Sequence, residues 1–427
     1  MISKHLIITL RLLIKTDPLT RMLFAHHAMH KNNNKYKNPQ NQSAYSLVEL
    51  LVSIALGVIL TAAVIQAYLG TKRVTDTNAG VARIQENARF SLNFLKEDTK
   101  NAGYSSCIGR IRNKLGSNLT GDAAEFLSFN NAVVGWDASG TQIGNTFTLT
   151  NNTGGAASNW SDGTNGLPTF LSGEVVDGSD VISLRRYETI DVNINASDVL
   201  GGTITTAANH GIGDGDVMMV GNCWQAELFQ NIGASPTVLT ADESSGTPGN
   251  RALSTNKWLR AYDSADDLLR YVNTYYYVDM GAGGIPSLYR FETSRPTASI
   301  TPAEVTANAQ ELVEGVDSMQ VLYGEDIIDS TTGEFDLIPN RYVSADQVIN
   351  WENVVSIRIG LLMRSPNNAV DLGLVSDYVV LDDIDLTLNN DDRILRYVVN
   401  STVKLRNKGL IRELIPFSCD ANTPGCI

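Results

Sequence analysis

Residues 43–69 read SAYSLVELLVSIALGVILTAAVIQAYL, and the only formal charge in the run is Glu49. From Leu50 to Leu69, twenty consecutive residues lack Asp, Glu, Lys and Arg, which matches the length of α-helix needed to cross the ~30 Å hydrocarbon core of a bilayer. The apolar stretch of a secretory signal is usually shorter. A carboxylate at the mouth of such a span is costly without a partner. A lone glutamate there would snorkel into lipid headgroups. In an array of parallel helices it would instead pair with a cation of a neighbour, joining two groups that are each expensive to leave alone and fixing axial register. The residues around Glu49 favour this second reading over a cleaved signal or a plain anchor.

Upstream, residues 1–44 hold seven Lys/Arg against one acid, Asp17, giving +6. A basic segment before a span stays on the cytoplasmic side, so the helix is expected to enter the membrane with its N-terminus inside. The segment is long for a leader, and Met22 or Met29 offers a more compact start; Met29 opens the basic, polar stretch MHKNNNKYKNPQNQSA. Residues 6–14 are mildly apolar but too short to span, and Arg11 interrupts them. Downstream, Val74, Val81, Ile84, Ala88, Leu92 and Leu95 recur mostly at helical spacing. The helix is therefore expected to continue with one packed face and to stop near NAGY, where Asn101 and Gly103 supply C-terminal punctuation.

From about Tyr104 the composition turns to Gly, Asn, Thr, Ser and Asp between short alternating runs, which predicts a β-rich head with long loops. Strands are expected over 146–150, 180–188, 216–221, 274–280, 287–293, 318–324, 354–365 and 395–407. In TYYYVDM, Tyr275 and Tyr277 share one face and Tyr276 the other, as in a strand packed on both sides. GAGGIP (281–286) reads as a hairpin turn and Pro302–Glu314 as helical, so the class is α+β. Residues 139–165 read as an insertion or surface loop, and the Asp-rich run 377–393 as a solvated acidic loop without EF-hand spacing.

Charge and reactive side chains exclude several functions. The whole chain carries −13; without the +6 of residues 1–44, the remainder carries −19. No Lys/Arg run is present there, which disfavours direct nucleic-acid binding. Of five histidines only His210 lies beyond residue 44, in a turn-like context, so neither a Ser-His-Asp site nor a His-rich zinc site is expected. No catalytic residue, cofactor or metal site is expected. The four cysteines, Cys107, Cys223, Cys419 and Cys426, all follow the span, which puts them in an oxidising compartment and makes disulfides the default. A local Cys419–Cys426 bridge would leave Cys107 for Cys223, one of three connectivities the spacing allows.

The N-terminal run resembles the type IV prepilin motif, in which a small residue precedes a hydrophobic first mature residue and a glutamate at the fifth mature position; here these are Ala44, Tyr45 and Glu49. The family usually carries Gly and Phe where this chain has Ala44 and Tyr45. The resemblance implies cleavage after Ala44 by a prepilin peptidase and N-methylation of Tyr45. The segments ELVEGVDSMQVLYGED (311–326), WENVVSIRIGLLMRS (351–365), LRYVVNSTVKLRN (395–407), NAGYSSC (101–107) and CWQAELFQ (223–230) look like those of minor pilins of the PilW class. That resemblance implies a type IV pilin-like α+β fold with a leader 1–44, a pilin helix 45–103 that is transmembrane in its first half, and a periplasmic head 104–427. It also implies a single-pass inner-membrane protein that helps initiate pilus assembly and ends near the pilus tip at the cell surface. Expected partners are the prepilin peptidase, other minor pilins, the major pilin, the inner-membrane assembly machinery, a tip adhesin, and lipid before assembly. The alternatives are a large J-like pseudopilin of a type II secretion system and an anchored periplasmic enzyme.

Overall fold

The computed structural model describes residues 46–108, 110–116, 131–242, 248–251, 256–296, 300–327, 336–366, 377–388, 394–407 and 413–414. Ala44, Tyr45, Cys419 and Cys426 lie outside the described residues. The fold is α+β and pilin-like, with one long apolar N-terminal helix and a β-rich C-terminal head. The chain divides into two units, Met1–Ala67 and Tyr68–Ile427, and the helix Leu47–Asn101 runs without interruption through the division.

In the second unit the helix buries Gly80, Ile84, Ala88, Ser91, Leu95 and Thr99. These positions recur every three or four residues and form one stripe. The stripe is offset from the expected one: Val74 and Val81 are exposed, and Leu92 is only partly covered. Small and hydroxyl residues complete it, and Thr99 is accommodated because its hydroxyl donates to the Leu95 carbonyl at 2.6 Å.

The head is organised by the strand Asp267–Met280. One edge pairs antiparallel with Val181–Ile190. The other edge is shared by Val217–Gly221, which takes Asp267–Arg270, and Pro286–Thr293, which takes Asn273–Met280. The turn between the last pair is closed by Gly281 N–H to Ile285 O at 2.9 Å. Tyr276 faces the core that holds the helix stripe, while Tyr275 and Tyr277 face a second core with Trp136, Phe170 and Phe291. A separate antiparallel sheet orders Arg341–Val343, Val316–Glu325, Val354–Arg364 and Arg396–Lys404. Its Val316, Met319, Ile357 and Ile359 join Ile84, Ala88 and Leu95 of the helix and Leu184 and Val278 of the large sheet in one continuous core.

The helix ends where its sequence punctuates it. Gly103 takes a φ of 76°, and a Cβ there would stand 3.0 Å from that of Ala132; glycine is the residue that meets both demands. Asn407, from beyond the strand Arg396–Lys404, donates its amide to the carbonyls of Lys100, Asn101 and Ala102 at 3.3, 3.4 and 3.1 Å. These are carbonyls that a helix end leaves unpaired. The Tyr276 hydroxyl donates to Asp98 Oδ2 at 2.6 Å and the Asn87 amide to the Glu314 carbonyl at 2.8 Å.

Three expectations change. The helix from Pro302 stops at Asn308, and Gln310–Glu314 is a strand paired with Pro286–Thr293; the Thr301/Glu304 capping box starts the helix, but the edge of the large sheet claims the residues after it. Within the Asp-rich run, residues 377–388 form a hairpin, Asp377–Val380 with Ile384–Leu388, because Val380, Leu381, Ile384 and Leu386 enter a core with Leu149, Leu322 and Leu362; Asp377, Asp382 and Asp383 stay exposed, and Asp391 and Asp392 lie outside the described residues. Within 139–165, Trp160 is buried and donates its indole N–H to the Ser179 carbonyl at 2.8 Å, so that segment packs as well as loops.

Asp180 stitches the two sheets together. Its Oδ1 accepts the Ala138 N–H at 2.9 Å and its Oδ2 the Val321 N–H at 2.8 Å. Asp137 is buried nearby, with Gln142 Nε2 donating to Oδ2 at 2.6 Å. Burial, and then Asp180 and Asp346, push the Asp137 carboxyl well above the usual carboxylate range. Burial also raises Asp180, against the two backbone donors. The buried Tyr323 ring shares this pocket: a Cβ on Gly135 would overlap its hydroxyl.

Two outcomes follow for the detergent-solubilised chain. Leu95→Ala is expected to lose ~2–5 kcal/mol in urea denaturation, whereas Val81→Ala stays within ~0.5 kcal/mol. Carboxyls raised by folding contribute stability that is complete below their unfolded pKa and is lost as pH rises through the folded one. Wild type is therefore expected to lose stability relative to Asp137→Asn between pH ~5 and ~9, by on the order of 1 kcal/mol or more; parallel pH profiles would contradict the assignment.

Candidate assembly site

The helix begins at Leu47 with the Ser46 carbonyl accepting the Leu50 N–H at 3.2 Å and the Ser46 hydroxyl accepting the Val48 N–H at 3.3 Å. Glu49 lies in this first turn, where the helix dipole favours a negative charge. Every residue from Ser46 to Asp76 is exposed. Leu47, Leu51, Ile54, Val58 and Ile65 are among them, which is the all-round apolar surface of a helix made for lipid or for other helices. The hydroxyls in the run are turned inward: Ser53 donates to the Glu49 carbonyl and Thr61 to the Gly57 carbonyl, both at 2.7 Å. This satisfies donors that an apolar environment cannot serve. Among the described residues no cation pairs with Glu49. The first turn thus carries one carboxylate ahead of twenty uncharged residues, Leu50 to Leu69.

Cys107 and Cys223 are joined in a disulfide across 116 residues of sequence. It fastens the segment just after the helix to the tip of the hairpin Val217–Gly221/Ala226–Gln230. Behind this hairpin Glu227, Arg112 and Lys114 are fully buried. Arg112 pairs with Glu227 at 3.3 Å, whose other oxygen accepts from Leu259 N–H and the Tyr262 hydroxyl at 2.7 Å each. The Lys114 ammonium sits 3.7 Å from the Trp258 ring centroid, and burial lowers it to about 7 despite Glu227. His210 is buried in a turn, its Nδ1 accepting the Ile212 N–H at 3.1 Å, and burial lowers its pKa. These groups secure folded segments. Sequence reading missed Glu227 and Asp180 because their partners lie tens to more than a hundred residues away; no local pattern marks them.

Comparison with protein families gives two matches. Residues 39–65 match the prokaryotic N-terminal methylation motif, and residues 275–407 match Type IV Pilus-assembly protein W. The first covers Glu49 and most of the apolar run. The second begins within the strand Asp267–Met280 and takes in the four-stranded sheet and the cap at Asn407. No curated protein and no solved structure matches the chain. Both family matches point to a structural component of a pilus. The methylation motif and the exposed apolar helix are those of a membrane-anchored pilin, and with the match over residues 275–407 they make the chain similar to type IV minor pilins of the PilW class.

Proposed function

We propose that this minor pilin helps to initiate type IV pilus assembly as a member of a priming complex and takes a position at or near the pilus tip. One observation carries the reading: a single carboxylate heads an exposed apolar helix, and the same helix continues into the core of a bulky head. A prepilin peptidase removes residues 1–44 after Ala44, and Tyr45 becomes the N-methylated terminus. The helix over 45–103 spans the inner membrane in its first half, with the head 104–427 in the periplasm. Glu49 then pairs with the terminal ammonium of a neighbouring pilin, which sets the axial register of parallel helices. A head this much larger than its helix is difficult to repeat along a tightly packed shaft, whereas the end of a filament leaves it room. The other minor pilins, the major pilin, the inner-membrane machinery and a tip adhesin are the partners this role requires. The match to the pilus assembly family over 275–407 favours a pilus over the short pseudopilus of a secretion system.

The pairing is tested by Glu49→Leu. Removing one partner of a buried ion pair costs about 3–5 kcal/mol, so incorporation is expected to fall by about a hundredfold or more. The variant is expected to remain processed and membrane-inserted at wild-type amounts while disappearing from sheared pili. Normal incorporation would contradict the role given to Glu49.

A further inference from the structure

Two carboxylates at the end of one strand pin a pair of loops whose aliphatic side chains face water. Strand Val316–Glu325 ends in Glu325, which is buried together with the following Asp326. Glu325 Oε1 accepts the backbone N–H groups of Ile349 and Asn350 at 2.9 and 3.0 Å, and its Oε2 is held by the Arg341 guanidinium. Asp326 Oδ2 accepts the Leu337 N–H at 2.7 Å, and the Ile327 N–H donates to Asn340 Oδ1 at 2.7 Å. Pro339 closes over Gly324, where a Cβ would come within 2.9 Å of it. Ile338 is 59% exposed and Ile349 76%, with Ile327 and Leu337 also exposed. Leu337 holds a left-handed φ of 61°, a conformation that costs a bulky residue ~1–3 kcal/mol and persists only where its surroundings enforce it. Buried carboxylates and a strained backbone thus fix four aliphatic side chains in solvent, where they contribute nothing to the isolated head. Rigid display of this kind lowers the ordering cost of binding.

The position and charge of this patch restrict what covers it. The Asp326 N–H donates to the Asn353 carbonyl and the Leu405 N–H to the Val355 carbonyl, both at 2.9 Å, and Asn407 caps the helix. The patch therefore lies at the end of the head where the helix terminates. The start of the same strand is near Asn87, whose amide reaches Glu314. Among the described residues beside the aliphatic group, Asp336 and Glu352 are exposed, while the one base, Arg341, is engaged by the buried Glu325. A second copy would bring a like-charged rim against this one, and an anionic lipid surface would be repelled.

We infer that Ile327, Leu337, Ile338 and Ile349 form a docking surface for the head of a different pilin-class subunit, one presenting an apolar patch rimmed by Lys or Arg. The inference rests on the assembly role proposed above.

A photo-cross-linking residue placed at Ile349 in cells assembling pili tests this, with Leu200, 67% exposed on another part of the head, as the control position. The expected adduct at position 349, and not at 200, is with a different subunit that itself carries a prepilin-type N-terminus, identified by its peptide masses. The double variant Ile338→Ser, Ile349→Ser is expected to melt like wild type and to lower incorporation and pilus number by about tenfold or more, the effect of losing a central interface contact. An adduct with this chain itself, with a protein lacking the motif, or with nothing would overturn the inference, as would normal piliation by the double variant. Absence of the wild-type chain from pili would instead overturn the assembly role.

Discussion

The stripe from Gly80 to Thr99 on the long helix is the contact on which the head depends. Its side chains enter a core to which both the large sheet and the four-stranded sheet contribute, so the sheets are organised about the helix as much as about each other. Loss of that stripe would uncover Tyr276, Val278, Met319 and Ile359 together, a cost in apolar burial far larger than any surface ion pair offsets. The capping of the helix by Asn407 adds a long-range closure, because residues more than three hundred positions apart complete one helix end.

Polar chemistry in the interior has a different task. Asp180 bridges two sheets through backbone donors, Glu325 and Asp326 hold loops, and Glu227 gathers an arginine, a tyrosine and a backbone amide. Asp180, Glu325 and Glu227 each accept two or more donors at once, which is how burial of a carboxylate becomes tolerable. The Cys107–Cys223 bond does related work covalently by holding a distant hairpin against the residues that follow the helix. In an oxidising compartment such a bond restricts the unfolded chain and so favours the folded one.

Much of this was legible in the sequence where the signal is local. Twenty uncharged residues announce the apolar helix, NAGY its end, and the alternation in TYYYVDM a strand buried on both faces. The prepilin-like run around Glu49 falls within the match to the N-terminal methylation motif. Signals failed where long-range pairing decides. Pro302–Glu314 reads as one helix, yet register with Leu288 and Tyr289 draws its second half into a sheet. The Asp-rich run 377–393 reads as solvated loop because its charges mask Val380, Ile384 and Leu386, which a distant core recruits. The patch around Ile349 left no mark in the sequence, since exposed isoleucines look like any others until the carboxylates beneath them are seen.

The central claim is that this chain works as a processed pilin whose first mature residue is Tyr45. The most direct test is intact-mass and N-terminal peptide analysis of the protein from membranes and from sheared pili, with and without the prepilin peptidase. The account predicts N-methylated Tyr45 at the terminus, dependent on the peptidase, in a species present in pili at a small fraction of the major subunit. A retained leader, cleavage at another bond, or a stoichiometric presence along the shaft would contradict it.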